Sequence, residues 1–484
     1  MVKKLVFITA LLAAVLTSCT DNPKLNNKTT SVNFDLDSIR QRGKMIALTD
    51  YNSTNYFIYK GEPMGFHYEL LRLFANHIGV DLEIITENNL EKAFQSLNSG
   101  RADLLALSLT INSSRKKEIL FTDPITETRQ VLIQRKPRSW RSMTADEVDR
   151  HLIRNQLNLA RMTVYVQAGS SYLERLQCLS SEIGDTIDII KVPFESEQLI
   201  KSVADGDIDY TICDENIAMV NSTYYPDIDI STPVSFPQNI AWGVRKSGSQ
   251  LLLDELNAWI NYFRQTPSYA LLYAKYYKNS RSSTIVRSDY YSLVTGKVSR
   301  YDDLIKDASR QINWDWRLLA SLIYQESRFN PTVESGAGAY GLMQVMPVTG
   351  KRFGIDITAS PYNNIKAGTR YISWLKTIFD PKIDDENERI KFILAAYNAG
   401  PGHILDAMRL AEKNGMDPQK WDGSVAEWLL KKAQSQYFQD AIVKNGYFRG
   451  TESVNFVSEI LDRFEQYKNI VPGERLEQLS LNSK

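Results

Sequence analysis

Between Met45 and Lys278 the chain alternates short apolar runs with amphipathic helical patterns, and after about residue 300 the strands cease. That change of period divides the molecule. MIALTD, VDLEII, ADLLALSL, RQVLIQR, MTVYVQ, TIDIIKV and IDYTICD read as strands, because apolar and β-branched residues crowd into runs of strand length. YELLRLFANHIG, LEKAFQSLNSG, YLERLQCLSSEIG and ESEQLIKSVADG read as helices, several of them stopping on Gly. Alternation of this kind predicts an α/β fold with a largely parallel sheet, and places its binding site at strand carboxyl ends and helix N-termini. From Tyr301 onward, YDDLIKDASRQI, DWRLLASLIYQES, IKAGTRYISWLKTIF and ERIKFILAAYNAG keep helical spacing, so this part is mainly α. The segment 279–299 between them has no clear period and reads as a linker.

With 484 residues the chain has room for about three domains. Basic and acidic residues balance at 57 each, so no global field favours nucleic acid. Cys178 and Cys213 stand 35 positions apart and the chain has four histidines, which makes no metal-site pattern. A disulfide between them is possible in an exported protein, but two buried free thiols are the expectation, and no cofactor is implied. At the N-terminus Lys3 and Lys4 precede an apolar run, Leu5 to Leu16, then Thr17-Ser18-Cys19. The run has secretory length and falls short of the ~20 residues that span a bilayer. LTSC resembles a bacterial lipobox, which would make 1–19 a lipoprotein signal peptide with Cys19 acylated, and the polar stretch 20–33 a tether. The expected address is the outer membrane, facing the periplasm, with 471–484 a C-terminal tail.

One carboxylate stands out in the helical half. Leu319, Leu322 and Ile323 precede Glu326 by seven, four and three residues, so the four share a helix face. A carboxylate on an apolar face is desolvated, which favours its protonated form and suits a general acid. A capping or solvated Glu is the ordinary alternative, and the residues that follow argue against it.

The first part resembles the family-3 extracellular solute-binding proteins, the periplasmic amino-acid binders, at three places: GFHYELLRLFANHIG, LNSGRADLLALSLTINSSRKKEILFTDP and ADGDIDYTICDE. His67 departs from the acidic residue usual in the first of these. The resemblance implies a two-lobed module over 34–278. In it, Ser108, Thr110 and Arg115 would hold a ligand carboxylate, Ser170 and Ser171 would add donors, and Asp214 would take an ammonium. An Arg fork suits a carboxylate and an Asp an ammonium, so the residue types fit an amino acid or muropeptide. Tyr51, Tyr56 and Phe57 are candidates for the aromatic that clamps it.

Residues 300–470 resemble the family-1 lytic transglycosylases, lysozyme-like enzymes acting on peptidoglycan. Glu326-Ser327 with RFNP, Gly341-Leu342-Met343-Gln344, and Ala396-Tyr397-Asn398-Ala399-Gly400 occur in that family's order. The resemblance implies that Glu326 is the catalytic acid, that Gln344, Tyr397 and Asn398 position the sugar with Met343 beside them, and that Ser327 holds the glycan or Glu326. Near Glu326 in the sequence no second carboxylate is embedded in a comparable motif, which is consistent with the route the resemblance implies, a single acid acting in turn as a base, without water. Where the family has E-T-x-x-Y-V, this chain reads Glu452-Ser453-Val454-Asn455-Phe456-Val457, so a tyrosine hydroxyl is missing at Phe456. Tyr437 or Tyr447 could replace it. A hydrolytic goose-type lysozyme and an inactive wall-binding sensor remain as alternatives.

Overall fold

The computed structural model describes residues 35–278 and 297–471. Cys19 and the leader, the tether 20–33, most of the 279–299 linker and the tail beyond Val471 lie outside the described residues. No helix among those described is long and apolar enough to cross a membrane.

The first lobe opens with α1 (Leu36–Arg42) and β1 (Lys44–Thr49), a short hairpin of β2 (Phe57–Tyr59) and β3 (Glu62–Met64), then α2 (Phe66–Ile78) and β4 (Asp81–Thr86). It continues through α3 (Leu90–Asn98), β5 (Leu104–Thr110), β6 (Ile119–Phe121) and β7 (Thr126–Thr128). The second lobe runs from β8 (Gln130–Arg135) through α4 (Ala145–Arg150), β9 (Thr163–Gln167), α5 (Ser171–Ile183) and β10 (Asp188–Val192). It ends with α6 (Ser196–Asp205), β11 (Tyr210–Asp214), α7 (Glu215–Ser222) and β12 (Ile228–Pro233). The chain then returns to the first lobe as β13 (Gln238–Arg245), followed by α8 (Gln250–Phe263) and α9 (Pro267–Tyr273).

Each lobe is built on one sheet. The first has the order β4-β1-β5-β13-β6 with β7 beside β13, and the second β10-β9-β11-β8-β12. All seven expected strands are present. The sheets are mixed rather than largely parallel, because β13 runs antiparallel to β5 and β8 antiparallel to β11 and β12. These are the strands by which the chain crosses between lobes. A return strand must enter from the opposite end, and its direction leaves no mark on local periodicity.

The C-terminal module packs α10 (Asp302–Ile312), α11 (Trp316–Ser327), α12 (Pro347–Arg352), α13 (Pro361–Phe379), α14 (Glu386–Ala399) and α15 (Pro401–Lys413) around one apolar core. Then α16 (Ala426–Lys431), α17 (Ser435–Phe438) and the long α18 (Thr451–Ile470) complete it. The module starts slightly before residue 300. Val298 is fully buried in its core, and the backbone N–H groups of Val298 and Ser299 donate to the Asp302 carboxylate at 2.8 Å, which fixes the chain's entry into α10.

The two modules are joined along β4 and the β2–β3 hairpin. Ile58 is buried within the helical core, Tyr467 Oη donates to the Gly61 carbonyl at 2.9 Å, and Asn469 exchanges bonds with Thr86 and Ile84. The end of α18 thereby covers the open edge of the first sheet, satisfying polar groups that an edge strand otherwise exposes.

Candidate active site and ligand cleft

Glu326 sits on the last turn of α11, half-buried, and among the described residues no hydrogen bond or ion pair engages its carboxyl. Burial pushes its pKa up to about 8, and the charge of Glu452 on the first turn of α18 adds to the shift. At neutral pH the carboxyl is therefore largely protonated. The helix ends abruptly beside it: Arg328 and Phe329 both take left-handed backbone conformations, with φ of 51° and 60°. Two consecutive non-glycine residues in that region carry strain that surrounding packing must hold in place. Here the Phe329 ring packs on Tyr324, 5.7 Å between centroids.

The GLMQ turn, bonded to α11 through Ser327, is fixed by α13. Asn364 on α13 accepts from Met343 N–H and donates to the Tyr340 carbonyl, each at 2.8 Å. A Cβ on Gly341 would come within 2.5 Å of the Asn364 amide, so glycine is required there. Ser327 is buried and its hydroxyl is directed at the carbonyls of Leu342 (2.7 Å) and Ile323 (3.1 Å). It ties the turn to α11, and with its hydroxyl committed to these carbonyls Ser327 is not directed at a glycan. Met343 is likewise fully buried with its sulfur against Gly368, so its side chain belongs to the floor of the site. Its carbonyl accepts from Tyr397 Oη at 2.7 Å. Tyr397 stands near enough to Glu326 for the carboxylate to raise its phenol further, after the larger effect of burial. Gln344, with φ of 45°, donates through Nε2 to the carbonyls of Gly341 and Val333 and leaves Oε1 outside these bonds. Asn398 is exposed at the end of α14, its Oδ1 held by the buried Ser453 hydroxyl at 2.5 Å. Phe456 is buried in the core. Tyr447 is 58% exposed against Phe438, and Tyr437 packs on Trp428; neither hydrogen-bonds Glu326.

In the first module a cleft between the lobes, about 700 Å³ including its mouth, is lined by Ser108, Arg115, Ser170, Ser171 and Asp214. These come from the ends of β5 and β11 and the N-terminus of α5, as the fold class requires. Thr110 stands behind this lining: its carbonyl accepts from Arg115 at 3.2 Å and its hydroxyl meets Ser171 at 3.4 Å. Of the aromatic candidates, Tyr51 lines the cleft, whereas Tyr56 and Phe57 are core residues. Burial pushes the Asp214 carboxyl up to about 7. His67 is fully buried and neutral, its pKa lowered to about 3 by burial. Because an indole N–H can only donate, the 2.6 Å bond from Trp242 makes Nδ1 the acceptor and leaves the proton on Nε2, 3.3 Å from Ser108 Oγ.

Residues 303–419 match the family described as transglycosylase SLT domain, and residues 44–279 match bacterial extracellular solute-binding proteins, family 3. A membrane-bound lytic murein transglycosylase F of Desulfosudis oleivorans is 35% identical over 431 residues, 89% of this chain and 91% of that protein. The chain belongs to the membrane-bound lytic murein transglycosylase F family. A second member, from Pseudomonas fluorescens, is 30% identical over 434 residues, covering 88% of this chain and 85% of its own. Holo ArgBP from T. maritima aligns at 23% identity and a TM-score of 0.40, over 49% of this chain and 97% of its own. The chain is thus an enzyme of the lytic transglycosylase class carrying a solute-binding module.

Within this transglycosylase F chain, sequence reasoning missed four carboxylates. Glu452 reaches the field of Glu326 from 126 positions away, and its signal was its place at the head of the E-S-V-N-F-V stretch. Asp50 directly follows β1, and Glu195 and Glu197 open α6; all three line the cleft. Cys213 is buried as expected, whereas Cys178 is exposed on α5, and neither is in a disulfide. A cysteine in a helix of mixed polarity has no fixed side from periodicity alone.

Proposed function

We propose that this protein cleaves the β-1,4 bond between MurNAc and GlcNAc without water, leaving 1,6-anhydroMurNAc ends, and that its solute-binding module senses an amino acid or muropeptide and controls the cleavage. The observation that carries the reading is Glu326: a carboxyl raised to about 8, free of hydrogen bonds among the described residues, and close to Tyr397, whose hydroxyl bonds the turn that carries Gln344. Protonated, it delivers its proton to the glycosidic oxygen as the C1–O bond breaks, so the GlcNAc leaves with a C4 hydroxyl. The substrate's own acetamido oxygen supports the positive charge at C1. The Glu326 carboxylate then removes the C6 hydroxyl proton while O6 bonds to C1, returning the acid to its starting state. In this reading Gln344 and Asn398 orient the acetamido group. Glu452 does not alter this assignment, because an exposed carboxylate that raises its neighbour's pKa supports the acid form of Glu326. Attachment to the outer membrane, facing the periplasm, follows from a lipid anchor on Cys19 acting close to its wall substrate.

Mass spectrometry of peptidoglycan digested by the purified chain tests the chemistry. Anhydro ends, one water lighter than reducing ends, support it. Reducing ends alone identify a hydrolytic lysozyme instead.

A further inference from the structure

We infer that the cleft between the two lobes takes a dicationic amino acid, one whose side chain ends in a second positive group held among Asp50, Glu195 and Glu197. The inference rests on the reading that this cleft binds an amino acid, and extends it to the ligand's side chain.

The charge of the lining is unbalanced. Five carboxylates, Asp50, Glu87, Glu195, Glu197 and Asp214, face the cleft, and among the described residues Arg115 is the one cationic side chain lining it. None of the five forms an ion pair among the described residues. Asp214 lines the cleft at 5% exposure, and while the Tyr172 hydroxyl and the Arg115 charge act on its carboxyl, its Oδ1 is buried without a hydrogen-bond partner among the described residues. Such an atom costs free energy unless something outside the protein pairs with it. An α-ammonium on Asp214 and an α-carboxylate on Arg115 would satisfy that end of the site.

A simple zwitterion leaves the other end unanswered. Asp50 ends β1 on the first lobe, and Glu195 and Glu197 stand at the start of α6 on the second. Their partners are neutral: Asn52 and Asn55 amides donate to Asp50 at 2.6 Å each, Ser53 N–H to Glu197 at 2.9 Å, and the Asn88 amide to Glu195. Neutral donors satisfy lone pairs but leave the charge uncompensated. Burial holds the Asp50 carboxyl up to about 6, and the charges of Glu195 and Glu197 push in the same direction, so the three share one field. A hard metal ion is the other species that three carboxylates attract. Among the described residues, however, no three acidic, histidine or cysteine side chains are grouped to hold one. Carboxylates too spread for a metal suit an ammonium on a flexible stem, which bonds several oxygens at longer range. Because Asp50 and the two glutamates belong to different lobes, that ammonium would also favour the closed arrangement of the lobes.

Calorimetric titration of the detergent-solubilised full chain with L-lysine and L-norleucine, which has a terminal methyl in place of the amine, tests this directly. Lysine is expected to bind at least about tenfold more tightly. Glu195→Gln and Glu197→Gln, each retaining an acceptor oxygen for its neutral partners, should each weaken lysine several-fold and leave norleucine within about twofold. Equal affinity for the two ligands overturns the second-cation subsite while leaving the amino-acid reading standing. Binding of neither ligand overturns both, and calcium ions that displace lysine would reassign the three carboxylates to a metal.

Discussion

Tyr324 Oη donates a 2.5 Å hydrogen bond to the carboxylate of Glu62, linking the hairpin of the binding module to the helix that carries Glu326 two residues further on. Between them Gly61 is wedged, with φ of 80°: a Cβ there would come within 2.5 Å of Tyr324 and 2.8 Å of both Phe329 and Tyr467. The modules therefore meet at the residues that shape the end of α11, within one turn of Glu326.

Gly61→Ala should separate this joint. Both the strained φ and the overlap act against it, so chemical denaturation should show a loss of about 1–3 kcal/mol. A midpoint equal to the wild type would show that the hairpin does not close on α11 in solution.

The Glu326 pKa of about 8 has two consequences of known sign. As a general acid it works protonated, so kcat/KM should fall as pH rises through about 8. The folded state also binds this proton more tightly than the unfolded chain, so the stabilising share of this carboxyl, fully present at low pH, is lost as pH rises from about 4.5 toward 8. Glu452→Gln removes a negative neighbour and should move the basic limb of the rate profile to lower pH. A limb unmoved in that variant would mean that Glu452 does not reach Glu326.

Much of this arrangement was legible in the sequence, and the exceptions share a cause. The seven strands and the helices around Glu326 follow from period, because one buried face imposes it. Asp214 and Arg115, which the family resemblance singled out, both line the cleft. Residues whose role depends on a crossing of the chain were not legible: β13, the Glu452 that meets Glu326, and the Glu195 and Glu197 that meet Asp50. Ser327 and Met343 turn their side chains inward, Ser327 from the end of α11 to the Leu342 carbonyl and Met343 from the turn onto Gly368 of α13, and a motif match does not show the direction of a side chain.

Arg115→Ala should abolish binding of amino acids or muropeptides in calorimetry, and with it any response of cleavage to them. A response worth about 1–3 kcal/mol, roughly 5- to 150-fold in affinity between states, is the scale expected for coupled sites. Ligand binding with an unchanged cleavage rate would reduce the module to a spacer.

Cys19→Ala should block incorporation of an acyl label and alter how the protein is held at the membrane, followed by fractionation after labelling. Undiminished acylation in that variant would remove the lipid anchor from the account.

The most direct test compares the wild-type chain with Glu326→Gln on the same peptidoglycan, counting anhydroMurNAc ends released over time. The amide keeps the shape and cannot donate the proton, so the rate should fall by about 10²- to 10⁴-fold with the melting temperature unchanged or raised. Release within a few-fold of wild type would contradict the assignment of Glu326 as the catalytic acid.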